Sequence, residues 1–387
     1  MFVSRVRLQN WMNFIAVDVR LGKRTFVVGP NASGKSNFLD AIRFLRDLAR
    51  GDGFGGAVAK RGGVSRIRCL AARRVPVVKL SVDLSDSDDS DPEWSYTVAF
   101  AKEPAGAHSA VITEEIVEHR GREVLHRPDD ADRDDPLRLS QTHLEQISAN
   151  KDFREIAEFL RETRYVHFVP QLIRKPEVFF GGGAGSDEEA FGFRFLEHLN
   201  NATEQTRKAR LGKIEKALQL AVPQLTNLKL TPDGMGVPHL EALYDHWRPN
   251  AGKQRESQFS DGTIRLIGLL WSILDAQSVL LLEEPELSLH PALVRELAPL
   301  IYRVSRQSKR KPQVITTTHS PDLLDDPGIA ASEILLLIPG VQGTSVRPAA
   351  EIPEVRALLE SGMSPAEVVI PATAPRDARQ LALFRPD

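Results

Sequence analysis

The sequence predicts an α/β protein in two lobes built on a mixed, mostly parallel sheet, with a compact helical insertion between them. Three observations carry that expectation. An apolar run, Phe26-Val27-Val28, enters a glycine loop that gives way to a helical pattern of Phe38, Ile42, Leu45 and Ala49. After Leu240 strand-like and helix-like segments alternate, as a parallel sheet with crossover helices requires. Between these stretches the alternation lapses and the residues read mainly as helix.

Taken in order, residues 2–28 read as short strands around a turn at Gly22: Val3, Val6 and Leu8, then Ile15, Val17 and Val19, then Phe26 to Val28. Gly51, Gly53, Gly55 and Gly56 are expected to stop the first helix. From Val75 to Phe100 two strands flank an acidic, serine-rich loop at 85–91, too polar to pack. Residues 111–117 and 122–126 alternate about Arg120-Gly121, which predicts a hairpin. Residues 140–163 read as helix and 165–169 as strand, and Gly181-Gly182-Gly183 with Gly185 reads as a mobile loop. One long helix is expected over about 187–221, with Phe191, Phe195, Leu199, Leu211, Ile214 and Leu218 on its buried stripe. That stripe does not sustain heptads, so no coiled-coil arm is predicted. A strand at 240–247, a helix at 260–274, a strand at 279–282, a helix at 291–303 and strands at 314–317 and 334–338 follow. The expected boundaries are lobe I at 1–126, insertion at 127–239, lobe II at 240–345, and a proline-rich tail at 346–387 with one short helix near 355–359.

Composition narrows the functional classes. Among 387 residues, 42% are hydrophobic and 26% charged, as in soluble globular chains, and no apolar run approaches the length of a membrane span. The first residues, FVSRVRLQNW, lack the pattern of a secretion signal, so a cytoplasmic protein is expected. A single cysteine, Cys69, excludes an intrachain disulfide and a cysteine zinc site. The net charge of −2 gives no global field for a polyanion. Local clusters exist at Arg43, Arg46 and Arg50 and at Arg207, Lys208, Arg210 and Lys213, and they read as solvated helix faces.

Four segments carry chemistry. Gly29-Pro30-Asn31-Ala32-Ser33-Gly34-Lys35-Ser36 has the P-loop spacing between the strand and helix that motif needs. Its glycines let backbone N–H groups face phosphates, Lys35 reaches the β and γ oxygens, and the Ser36 hydroxyl ligates Mg²⁺. Val279 to Leu282 is an apolar strand that delivers Glu283 and Glu284 at its C-terminal end, a Walker B arrangement. Adjacent strand residues face differently, so Glu283 can serve the Mg²⁺ shell while Glu284 polarises the attacking water. Phe259-Ser260-Asp261-Gly262-Thr263 opens a helix that Ser260 or Asp261 can cap, and taken alone it is a helix cap. Thr316-Thr317-Thr318-His319-Ser320-Pro321 puts His319 at another strand end; alone, it reads equally as a structural loop histidine.

In this order GPNASGKSN, FSDGT, LLLEEPELSLHP and TTTHSP resemble the P-loop, signature, Walker B with D-loop, and switch-histidine motifs of ABC-type ATPases. More narrowly they resemble the RecF/SMC/OLD-like branch, which includes bacterial AAA-family ATPases found beside nucleases and in anti-phage defence. The resemblance covers residues 1 to about 126 and 240–345. It implies ATP and Mg²⁺ as cofactors, with Gly29, Asn31, Ala32, Ser33, Gly34, Lys35, Ser36 and Asn37 around the nucleotide. It also implies a head-to-tail homodimer in which Ser260 and Gly262 of one subunit cap the γ-phosphate held by the other, and the 287–290 D-loop crosses the interface. Glu284, His319 and Lys35 take the catalytic roles in hydrolysis of ATP to ADP and phosphate. Ser36, Glu283 and Gln141 surround the metal, with Gln171 as the rival to Gln141.

The family usually has aspartate at the position of Glu283, so slow hydrolysis is expected. Some OLD-like relatives carry a C-terminal Toprim nuclease, and the residues after 345 are too few for one. The function that follows by analogy is an ATP-gated dimeric switch that senses or clamps DNA and controls a separate effector, such as a nuclease, in bacterial defence. A RecF-like repair or recombination factor is the alternative. A transporter subunit fits less well, because the signature reads SDGT and not SGGQ; a non-hydrolysing scaffold, motivated by Glu283 and the acidic loop at 83–93, is a third possibility. Any DNA contacts are expected at Arg66, Arg68, Arg73 and Arg74 or on the basic helix after Thr206.

Overall fold

The computed structural model describes residues 1–72, 75–88, 90–103, 110–174, 192, 194–245, 252–307 and 310–373. The glycine run at 181–185, Phe191, Trp247, Arg73 and Arg74 lie outside the described residues. No helix among those described is long and apolar enough to cross a membrane.

The central sheet is built from β3 (Arg24–Val28), β8 (Arg164–Val166), β12 (Val279–Glu283), β13 (Gln313–Thr318), β14 (Ile334–Gly340) and β15 (Gly343–Pro348), in the order β15-β14-β3-β13-β12-β8. Every pairing is parallel except that of β14 with β15. Its strands are apolar on both faces, the mark of a sheet covered on both sides. Val27, Leu281, Ile315 and Leu335 point into one core with Phe38 and Ile42 of helix Lys35–Leu48. Phe26, Leu280, Leu282, Val314 and Leu336 point into a second core with Ile264, Ile267 and Trp271 of helix Asp261–Asp275.

Against the first core lies an antiparallel sheet of β1 (Phe2–Trp11), β2 (Phe14–Arg20), β4 (Val78–Ser85), β5 (Trp94–Lys102), β6 (Ala110–His119) and β7 (Arg122–Arg127), ordered β2-β1-β4-β5-β6-β7. The predicted hairpin is β6–β7, and Arg120 and Gly121 both take positive φ at its turn, as such a tight connection demands. The buried Gln313 joins the two sheets: its amide accepts from Val3 N–H at 2.9 Å and donates to the Val3 and Gly22 carbonyls, each at 2.8 Å.

The mixed α/β fold is thus the one the sequence predicts, and its departures have local causes. The first helix ends at Leu48, ahead of Gly51 as expected, but Gly53, Gly55 and Gly56 lie in a second helix, Gly53–Lys60. Glycine is needed at 53 because a Cβ there would sit 1.8 Å from the Glu145 carboxylate, which accepts from Phe54 N–H at 2.6 Å. Residues 140–163 form short turns and the helix Arg154–Arg161, not one helix. A buried network holds the start of that segment: Glu115 accepts from the His143 and Leu144 amides and from Arg127 at 2.9 Å, while Arg127 also binds Asp132 at 2.8 Å. The expected long helix is broken into Phe195–Asn201 and Glu204–Ala221, the second capped by Thr203, whose hydroxyl accepts from Thr206 N–H.

The strand expected at 240–247 is β10 (Pro238–Tyr244), and it joins no parallel sheet. With β9 (Leu225–Pro232) and β11 (Lys253–Arg255) it makes a third, antiparallel sheet. The stretch read as insertion therefore contributes β8 to the central sheet and β9 to this one. The tail folds two helices, Pro353–Glu360 and Pro365–Thr373, and buries Val355, Val368 and Val369 in the second core. Arg46 is no solvated residue: it is 4% exposed and bound to Asp47.

Candidate nucleotide site

Parallel strands place their C-terminal ends at one edge, where ligands of open α/β sheets bind. Here β3 leads into the 29–34 loop, its neighbour β13 leads to His319, and β12 beyond it delivers Glu283 and Glu284. Three segments remote in sequence so converge on one edge.

The loop is shaped for an anion. Gly34 takes φ +96° and Ala32 φ +60°, so the chain turns tightly into the helix Lys35–Leu48. That helix has neither a side-chain cap nor an acid in its first turn, which leaves its N-terminal amides and partial positive charge for a phosphate. The buried Ser33 hydroxyl has no hydrogen-bond partner among the described residues, a second sign of a polar group awaiting a ligand. Lys35 donates to the Gly29 and Pro30 carbonyls at 3.0 and 3.2 Å and lies 3.9 Å from Glu284. Burial pulls its ammonium below the usual lysine range, against the opposing pull of Glu284, Glu286 and Glu283. These features fit a nucleotide phosphate group. Asn31 and Ala32 are exposed at the loop tip, whereas the Asn37 side chain turns away to Asn13, at 2.8 Å.

Gly29 tolerates no side chain. An added Cβ would lie 2.6 Å from the Ser33 hydroxyl and 2.9 Å from Leu337 Cβ. Gly29→Ala is expected to abolish binding of a fluorescent ATP analogue without unfolding the chain; wild-type affinity in that variant would refute the role given to the loop.

The acids are held individually. Glu283 accepts from the Ser36 hydroxyl at 2.5 Å and from the Tyr165 hydroxyl. A carboxylate beside a P-loop serine suits Mg²⁺, which keeps waters and takes few protein ligands. Glu284 sits at φ +43°, a left-handed conformation that costs a non-glycine residue about 1–2 kcal/mol. Its N–H donates to the Thr317 carbonyl at 3.1 Å, which holds the turn, and its carboxylate lies 3.1 Å from His319 Nδ1. Backbone strain of this kind collects at functional sites. Glu286 is 7% exposed, accepts from the Thr318 hydroxyl at 2.5 Å and has one oxygen without a hydrogen-bond partner among the described residues; burial pushes its pKa up. Thr318 in turn accepts from Ser320 N–H at 3.0 Å, so Glu286 braces the turn that carries His319.

Ser260 is the N-cap of helix Asp261–Asp275, accepting from Thr263 N–H at 3.1 Å, and it is exposed. Gly262 lies against the D-loop, where a Cβ would come 2.9 Å from the Ser288 carbonyl. Gln141 is not brought to this edge. Its side chain is exposed beside the antiparallel sheet and its carbonyl accepts from Arg127. Gln171 follows β8, the neighbour of β12, and donates to Asp261 at 3.2 Å, while Arg174 pairs with the same aspartate. The sequence singled out neither Asn13, which donates to the Ser33 carbonyl and the Thr344 hydroxyl at 2.8 Å each, nor Tyr165 as a site residue. Of the basic residues expected to meet DNA, Arg66 is exposed, but Arg210 is bound to Asp275 and Lys208 to Glu204.

A strand leading into a P-loop, with β13 beside it ending at a histidine and β12 beyond that ending at a carboxylate pair, is the arrangement of an ABC-type P-loop ATPase fold. Residues 24–325 match the family described as AAA domain, putative AbiEii toxin, Type IV TA system, and the chain belongs to that family. No curated protein matches it. Among solved structures it is similar to an SMC head bound to the C-terminal winged-helix domain of ScpA, at 16% identity over 90% of this chain and 97% of the other, with a TM-score of 0.51. The SMC head domain from Thermotoga maritima matches at 15% identity over 90% and 99%, with a TM-score of 0.46. At such identity the first likeness bears on the fold alone.

Proposed function

We propose that the protein binds ATP with Mg²⁺ at its P-loop, dimerises head to tail around it, hydrolyses it slowly, and thereby switches a separate effector, such as a nuclease, in bacterial anti-phage defence. The observation that carries this reading is the meeting of Lys35, Glu284 and His319 at the C-terminal edge of the central sheet, with Glu284 3.9 Å from the first and 3.1 Å from the last. Lys35 and the loop amides hold the phosphates. Ser36 and Glu283 would hold Mg²⁺, which would supply charge neutralisation to the phosphates. Glu284 orients the attacking water and takes its proton, and His319 steadies that carboxylate. Gln171, on the short helix Pro170–Arg174 that follows β8, is the glutamine of the site in place of Gln141.

Dimerisation is supported by the signature helix, whose Ser260 cap is exposed and therefore accessible to a second subunit's nucleotide. The family's description, which names a toxin–antitoxin system, favours a defence switch over a repair factor. Sedimentation velocity of Glu284→Gln protein with Mg²⁺, with and without ATP, tests the sandwich. The expected result is an ATP-dependent dimer that Lys35→Ala protein fails to form. Unchanged association on adding ATP would remove gated dimerisation from the reading.

A further inference from the structure

Glu283 is one methylene longer than an aspartate in its place would be, and a longer carboxylate needs something to fix it. Neither of its oxygens is loose: Oε1 accepts from Ser36 and Oε2 from Tyr165. Tyr165 lies on β8, which pairs in parallel register with β12, Tyr165 opposite Leu281. The ring is 7% exposed, and the Arg43 guanidinium of the P-loop helix stacks over it, 3.9 Å from the ring centroid. A cation held over an aromatic face fixes the ring's tilt and thus the direction of its hydroxyl.

We propose that Tyr165 is a positioning residue that lets a glutamate serve as the magnesium-shell carboxylate: it takes one oxygen of Glu283 and so aims the other at Ser36. This rests on the reading of the edge as a magnesium–nucleotide site. Arg43 and Tyr165 together form an outer support that couples the P-loop helix to the carboxylate of β12. An aspartate falls short by about 1.5 Å, one carbon–carbon bond, and cannot span from Ser36 to Tyr165. Tyr165 therefore matters only when residue 283 is a glutamate.

A double-mutant cycle of Tyr165→Phe and Glu283→Asp tests this, read by fluorescence of a methylanthraniloyl ATP analogue across a Mg²⁺ titration. In the glutamate background Tyr165→Phe is expected to raise the Mg²⁺ half-saturation by about 10–100-fold, the usual cost of losing an outer-shell partner. In the Glu283→Asp background the same substitution is expected to leave it unchanged, and the melting temperature in EDTA is expected to be that of the parent in both. An equal shift in both backgrounds, or none with Glu283, overturns the proposal. Absence of any Mg²⁺-dependent binding by the wild-type chain overturns the reading of the site, and the proposal with it.

Discussion

Replacing Glu284 by glutamine is expected to slow ATP hydrolysis by about 10²–10⁴-fold, the range for loss of a general base, while ATP still binds. The amide keeps the size of the side chain but can neither take a proton from water nor balance the Lys35 ammonium 3.9 Å away. The strained backbone at φ +43° is unchanged by the substitution, so geometry is preserved and chemistry alone is lost. Single-turnover release of phosphate, compared with equilibrium binding of the analogue, separates these terms. A rate within tenfold of wild type would mean that another group activates the water.

The largest stability effect is expected far from the nucleotide. Arg127 is fully buried between Glu115 and Asp132, which are themselves buried, and it also donates to the Arg138 and Gln141 carbonyls. Arg127→Met fills much of the volume but leaves Glu115 inside the protein without its cation and Asp132 with Arg138 alone. Breaking such a pair costs about 3–5 kcal/mol, which urea unfolding followed by circular dichroism would register; a shift under 1 kcal/mol would contradict the network's role. The effect carries a pH signature. Arg127 holds the Asp132 carboxyl well below its ordinary value of 3.8, so that contribution to stability is present above that pH and disappears as pH falls through the depressed folded value. The gap between wild type and Arg127→Met is therefore expected to narrow in acid.

The parts of the site legible in the sequence are those written in contiguous residues. The P-loop, the Glu283-Glu284 pair and the His319 segment each pair a local motif with an apolar strand, and the structure sets those strands side by side. What was hidden depends on contacts between distant positions. Tyr165 meets Glu283 across 118 residues and Asn13 meets Thr344 across 331, and no local spacing encodes either. Gln141 follows a hairpin as the pattern leads one to expect, whereas Gln171 follows β8, and that β8 neighbours β12 is invisible until the sheet is formed. Gly51 follows the end of the first helix as expected, whereas the requirement at Gly53 is set by the Glu145 side chain, remote in sequence.

The outermost strand pair has a mechanical consequence. β1 is fastened near its start by Gln313, and the turn that follows its end is fastened by Asn13 to the phosphate loop and by the Trp11 indole to the Asn37 carbonyl. These fixings are about 27 Å apart along the strand, at roughly 3.4 Å per residue. A beam pinned at two such points transmits torque instead of pivoting. Twisting the face of this sheet on which Arg7 reaches diagonally to the buried Asp83 would thus turn the phosphate loop along with it.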